Sequence, residues 1–315
     1  MAKLFDRRSF LKWQTQGLLY FSVGSTLLPS GIFKPGRAMA ASPLADIAIA
    51  KGAPGAATRA AVDAIGGMSQ FVSPGQSVVI KPNMSFARDI DSATNTHPGV
   101  VRELLLMCRE AGAGRIRVLD HPLHNPELAL ERSGILAACN EVEPGICQQL
   151  LAPAFYREES IPGALEMRTN SFMRDVLDAD VIIAVPVAKS HSGTGVSLSL
   201  KGQMGVIFDR RSMHSRYNLN TSIVDLNLKV KPHLAVIDAT RVLTTGGPGG
   251  PGKVITPGEV IASADPVAAD AMAVASYEWY GRAMQPHQVP HIRQAHERGL
   301  GRMDIENLLV QRLTA

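Results

Sequence analysis

Three cysteines in 315 residues, Cys108, Cys139 and Cys147, are too few for the four thiolates of a cubane iron–sulfur cluster, so none is expected from this chain. That count leaves two readings open: a Cys139–Cys147 pair in an oxidising compartment, or unpaired thiols in the core. An HExxH or CxxC frame for zinc is also missing. So are the Lys-Ser/Thr of a nucleotide P-loop, the spacing of a dinucleotide fingerprint and a Gly-x-Ser-x-Gly nucleophile elbow. These absences remove the enzyme classes that announce themselves by a local motif. No repeat of solenoid length recurs, which excludes a repeat array.

Basic charge is concentrated at one end. The first forty residues hold Lys3, Arg7, Arg8, Lys12, Lys34 and Arg37 against Asp6, five net positive charges, so the +4 of the whole chain becomes −1 without them. The high sequence pI is a property of that segment, and no basic surface remains to argue for nucleic acid. Asp6-Arg7-Arg8-Ser9-Phe10-Leu11-Lys12 has the twin-arginine export pattern, residues 13–33 are uncharged, and Ala38-Met39-Ala40 precedes Ala41 as a small-x-small cleavage site. The expectation is a signal peptide over 1–40, recognised by the twin-arginine translocase, and a periplasmic mature protein over 41–315 comprising a single domain.

From residue 46 the pattern is that of an α/β domain with a mostly parallel sheet and helices on both faces. Short apolar runs at 46–50, 78–81, 116–119, 181–187, 234–238 and 260–263 read as strands, the fourth as a buried parallel strand because it is β-branched and too short for a buried helix. Helices are expected between them. One begins near His97-Pro98 with Thr96 as N-cap, one spans 171–177, one spans 219–230 and one follows Asp265-Pro266. Residues 125–163 read as a helix followed by irregular structure. Asp265 reads as a helix cap and Asp270 as an early helical acid.

The chemistry is expected at the strand ends, since ligands of open α/β sheets sit outside the carboxyl ends of the strands. Four ends carry polar groups: Lys81-Pro82-Asn83, Asp120-His121, Lys189-Ser190-His191 and Asp238-Ala239-Thr240. Lys201 follows a glycine-punctuated turn, and Gly249 and Gly250 lie in the flexible loop 246–252, able to bring backbone close to a ligand. Lys81, Asn83, Asp120, Lys189, Lys201, Gly249 and Gly250 are the candidate ligand-binding residues. His191 and His97 are the candidate acid–base residues, because imidazole titrates near working pH. His121 and His124 are the candidate metal ligands.

Several segments in order carry a resemblance. KPN at 81–83, THP at 96–98, GAGRIRVLDH ending at His121, AKSH at 188–191 and SLKGQMG at 199–205 are followed by IDAT at 237–240, GGPGGPG and ADPVAADA at 264–271. Together they resemble the "domain of unknown function 362" family over nearly the whole mature chain. The resemblance implies a link to iron–sulfur proteins, some members carrying ferredoxin-type cysteine repeats, which are missing here. The family's usual Lys-Asn pair is Lys201-Gly202 in this chain. A fainter similarity, in the order of helix, strand end and lysine–histidine segment, is to the substrate-binding half of lactate racemase, an enzyme with a nickel-pincer cofactor. It implies chemistry on a small acid.

The functional expectation is a periplasmic protein that binds a small anionic ligand or cofactor and performs acid–base or redox chemistry on it. The alternative is a non-catalytic accessory or carrier protein for an exported redox partner.

Overall fold

Alternation of buried side chains along short β-branched strands builds one sheet with two apolar faces. The computed structural model describes Leu44–Ala315, which form one compact unit; the twin-arginine motif and the cleavage site lie outside the described residues. The main path of the sheet runs Val310–Thr314, Ile47–Lys51, Glu259–Ser263, Leu234–Leu243, Val181–Val185, Ser77–Pro82, Arg115–Asp120 and Cys147–Gln149. Neighbours along it are parallel except where Glu259–Ser263 pairs antiparallel with both of its neighbours. The mostly parallel sheet expected from the sequence is therefore present.

Successive residues of each strand point to opposite faces. Val79, Ile182 and Ile237 enter one core with Ile223, Val274 and Ile292, from the helices Leu219–Lys229, Pro266–Ser276 and Pro290–Glu297. Ile80, Ile183 and Val236 enter the other with Val62 and Leu104, from the helices Pro54–Ala64 and Pro98–Glu110. Both faces are covered, as a parallel sheet requires. Asp265 caps its helix as expected, accepting Val267 N–H at 2.8 Å and Ala268 N–H at 3.2 Å. No helix among the described residues is long and apolar enough to cross a membrane.

Four expectations are corrected. The run 181–187 is two strands, Val181–Val185 and Val187–His191, because Pro186 has no N–H to donate to the ladder. Beyond the break the chain leaves the Ser77–Pro82 neighbour and makes a hairpin with Gly195–Ser197. Residues 171–177 are not one helix: Thr169–Met173 pairs with Tyr156–Ser160, and only Arg174–Leu177 is helical. The segment 125–163 is more regular than expected, with helices Pro126–Ser133 and Ile135–Asn140 and strands Cys147–Gln149 and Tyr156–Ser160. The N-cap before Pro98 is His97 rather than Thr96, its Nδ1 accepting Gly99 N–H at 3.0 Å. Thr96 instead ties two strand ends, donating to Val185 O at 2.6 Å and accepting Asn83 N–H at 2.8 Å.

Candidate functional site

Two adjacent parallel strands end in opposite charges. Lys81 Nζ lies 2.9 Å from Asp120 Oδ1, with both side chains at most 2% exposed. Three further donors converge on the carboxylate: His121 N–H at 2.9 Å on Oδ1, and Met84 N–H at 3.0 Å and Ser85 Oγ at 2.7 Å on Oδ2. Burial opposes the charge, but Lys81 and these donors hold Asp120 below the usual carboxylate range. Burial lowers the Lys81 amine, and the Asp120 charge opposes that shift. Gly205 closes over the pair, where a Cβ would strike Asp120 Oδ1 and the end of Lys81. Only glycine lets the backbone come this near.

The break at Pro186 sends Lys189 and His191 inward from the next strand, both buried. Lys189 Nζ donates to Thr94 O and lies 4.8 Å from the centroid of the Phe86 ring. Burial, with Lys201 nearby, pushes its amine down to about 7. His191 Nδ1 accepts Gly193 N–H at 3.1 Å, which leaves the proton on Nε2. Burial and the neighbouring Lys201 push this imidazole down to about 2, so it is neutral at any physiological pH. In this tautomer Nε2–H is the hydrogen-bond donor of the His191 ring.

Lys201 reaches the same space from the short helix Ser199–Gly202. Burial and Arg210 push its amine down to about 8. Its helix is fixed from behind by Asp270, fully buried, whose carboxyl oxygens accept Ser199 N–H at 2.7 Å and Leu200 N–H at 3.0 Å. Asp270 is thus more than an early helical acid.

A segment not singled out from the sequence completes the wall. Phe208, Asp209, Arg210, Arg211 and His214 line the cavity. Arg210 is stapled to the end of the Asp120 strand by donating to His121 O at 2.8 Å and Pro122 O at 2.9 Å. The signal for it was the Arg210-Arg211 pair with His214, which carries no strand-end pattern. The cavity measures about 510 Å³ and is walled also by Phe86, Leu123 and Met204, within the range that holds small organic ligands.

Of the sequence-predicted residues, Lys81, Asn83, Asp120, His121, Lys189, His191 and Lys201 line this one cavity. The others lie outside its lining. His97 is a helix cap, and its backbone N–H donates to Asp238 Oδ2 at 2.7 Å; Asp238 in turn pairs with Arg241 at 2.9 Å. That fourth strand end thus forms a separate network, and an acid–base role for His97 in the cavity is not supported. Gly249 packs on Phe86 and Gly250 has a positive φ, while Pro248 is the member of their loop that lines the cavity. His121 Nδ1 faces the Tyr156 hydroxyl at 3.1 Å, whereas His124 Nδ1 accepts Ala87 N–H at 3.3 Å with its ring edge-on to Phe86. The two imidazoles therefore do not converge, and no group of three or more His, Cys, Asp or Glu among the described residues could hold a metal ion. Cys108, Cys139 and Cys147 are free, buried thiols.

Comparison with known proteins adds three findings. Over 72% of its length the chain is similar in structure to the lactate racemase apoprotein of Thermoanaerobacterium thermosaccharolyticum, covering 56% of that chain with a TM-score of 0.48 and 12% identity. It is 26% identical over 230 residues to the thylakoid-associated protein sll1697 of Synechocystis sp., covering 68% of this chain and 67% of the relative. Residues 78–275, which include every cavity-lining side chain named above, match the model of the domain of unknown function DUF362, and the chain belongs to that family.

Proposed function

We propose that this chain is an exported periplasmic protein that binds a small anionic ligand in the cavity at the strand ends. One observation carries the reading: five cationic side chains, Lys81, Lys189, Lys201, Arg210 and Arg211, line the cavity, and only Lys81 has a carboxylate partner among the described residues. Of the four without a partner, Lys189 and Lys201 are buried, Arg210 is half-buried and Arg211 is exposed; a buried cation without counter-charge is costly, and a ligand that supplies the missing charge offsets that cost. In this reading Lys189, Lys201 and Arg210 neutralise the anion, and neutral His191 donates to it from Nε2. The buried apolar walls at Phe86 and Met204 lower the local dielectric and strengthen those contacts. The twin-arginine signal in the first forty residues is the support for export by the translocase, a route that carries folded proteins.

Chemistry on the ligand follows from the same cavity, with amines in place of imidazoles. All three histidines that line it, His121, His191 and His214, are pushed below their ordinary value, mainly by burial. That same feature favours a second reading, a ligand carrier serving an exported redox partner. Native mass spectrometry with metal analysis, on protein purified from the periplasm of its own cells, tests the proposal. An anionic small molecule held at about one per chain is expected. Protein that stays in the cytoplasm, or is recovered empty and gains no stability from carboxylates or phosphates, refutes it.

A further inference from the structure

The three lysines of the cavity are not equivalent. Lys81 is held by Asp120 and also donates to Pro82 O at 2.7 Å. Lys189 is held by Thr94 O and the Phe86 ring. The Lys201 amine, in a residue 9% exposed, has neither a hydrogen-bond nor an ion-pair partner among the described residues, and the charge that acts on it is that of another cation, Arg210. With no partner to hold its proton, this amine gives up its charge more readily than an exposed lysine does, and the neutral form keeps its lone pair available. Desolvation beside a second cation is one way an enzyme makes a lysine nucleophilic at neutral pH. Arg210 supplies positive charge in the same cavity and Lys189 a further hydrogen-bond donor, and the apolar residues of its lining leave room for a carbon skeleton.

We propose that the cavity takes a 2-oxo acid, its carboxylate held by Lys189 and Arg210, and that Lys201 Nζ condenses with the keto carbon to form an imine. The inference rests on the anion-binding reading and deepens it by naming the substrate class. The Nζ lone pair forms the C–N bond while the carbonyl π pair moves to oxygen, giving a carbinolamine. Both amine protons end on that oxygen, which leaves as water, and the C=N bond remains. No oxidant, reductant or metal enters the balance. A free phosphate or a simple carboxylate would bind the same cations without using the lone pair, so the choice of an oxo acid follows from the unpartnered amine. Asp270 is a positioning residue in this scheme, because it fixes the first turn of the helix that carries Lys201.

Reductive trapping reads the imine directly. The full chain is incubated with pyruvate or phenylpyruvate and sodium cyanoborohydride, and the adduct is located by intact mass and peptide mapping. One reduced adduct per chain at Lys201 is expected. With an amine near 8, Lys201 carries on the order of 100-fold more unprotonated nitrogen at about pH 7.5 than a free lysine side chain in water does, and labelling should favour it accordingly. Lys201→Arg, which keeps the charge and removes the nucleophile, should abolish the adduct, and Lys201→Met should do the same if arginine is not accommodated. Thermal shift with the same oxo acids runs in parallel. Stabilisation of the wild type without any adduct, or an adduct at Lys189 instead, overturns the imine and leaves anion binding standing. Neither stabilisation nor adduct overturns both.

Discussion

Replacing Lys201 by Met should make the protein more stable at neutral pH, although it removes a residue of the binding site. The stem packs much as before, and only the charged end is lost. Holding the amine at about 8 in place of 10.5 corresponds to roughly 3 kcal/mol against the protonated form, at about 1.4 kcal/mol for each tenfold change in the proton equilibrium. Solvent reaching the cavity reduces this, so a gain of about 1–3 kcal/mol is expected near pH 7. The sign follows from linkage: the folded value lies below the unfolded one, so the penalty is complete below about pH 8 and disappears above about pH 10.4, where the lysine is neutral in both states. Urea unfolding of wild type and variant near pH 7 and again near pH 10 measures it, the midpoints diverging at the lower pH and meeting at the higher. Equal stability at both, or a variant less stable at neutral pH, would mean that the Lys201 ammonium is well solvated or paired, and the reasoning would be wrong.

The remaining predictions use the same site. Asp120→Asn leaves Lys81 buried without its counter-charge and should cost about 3–5 kcal/mol; Arg102→Ala, which removes the exposed Arg102–Glu141 pair at 2.9 Å, should cost under about 1 kcal/mol in the same denaturation assay. A loss at Asp120 no larger than at Arg102 would contradict the buried pair. Burial pushes the Asp270 carboxyl up to about 7, so it weakens the fold as pH rises from about 4 through 7, and the stability of Asp270→Asn relative to wild type should climb across that window. A flat difference would show that Asp270 keeps an ordinary carboxylate value. Replacing Arg7 and Arg8 together by Lys should strand the protein in the cytoplasm, and normal periplasmic levels on fractionation would rule out the twin-arginine route.

Much of the sheet was legible because its strands are short β-branched runs buried on both faces, and the helix after Glu259–Ser263 carries its cap at Asp265. Seven of the candidate site residues share one cavity for a related reason. Parallel strands bring their carboxyl ends to one rim, so Lys81, Asp120 and Lys189 could be grouped from sequence without knowing any contact. What was hidden depended on tertiary structure. The break at Pro186 lies within a run whose apolar pattern continues across it. His97 looked catalytic by residue type, yet its ring satisfies a helix N-terminus, a local duty that an imidazole performs as well as serine does. Arg210 and Arg211 stand at the start of a short helix, Arg211–Ser215, that the sequence does not mark, and the hydrogen bonds to His121 and Pro122 place Arg210 on the wall. Nothing in the sequence pattern marks Lys189 and Lys201 as buried, and it is burial that makes removal of the Lys201 charge stabilising.

The central claim is that the cavity is built for an anion, and its most direct measurement is calorimetric titration of wild type, Lys189→Met and Lys201→Met with a panel of small carboxylates, 2-oxo acids and phosphates. At least one anion should bind the wild type, and each substitution should weaken it by about 2–5 kcal/mol, the loss that follows removing one partner of a desolvated charge pair. An anion that binds all three proteins equally would place the site elsewhere and contradict the account.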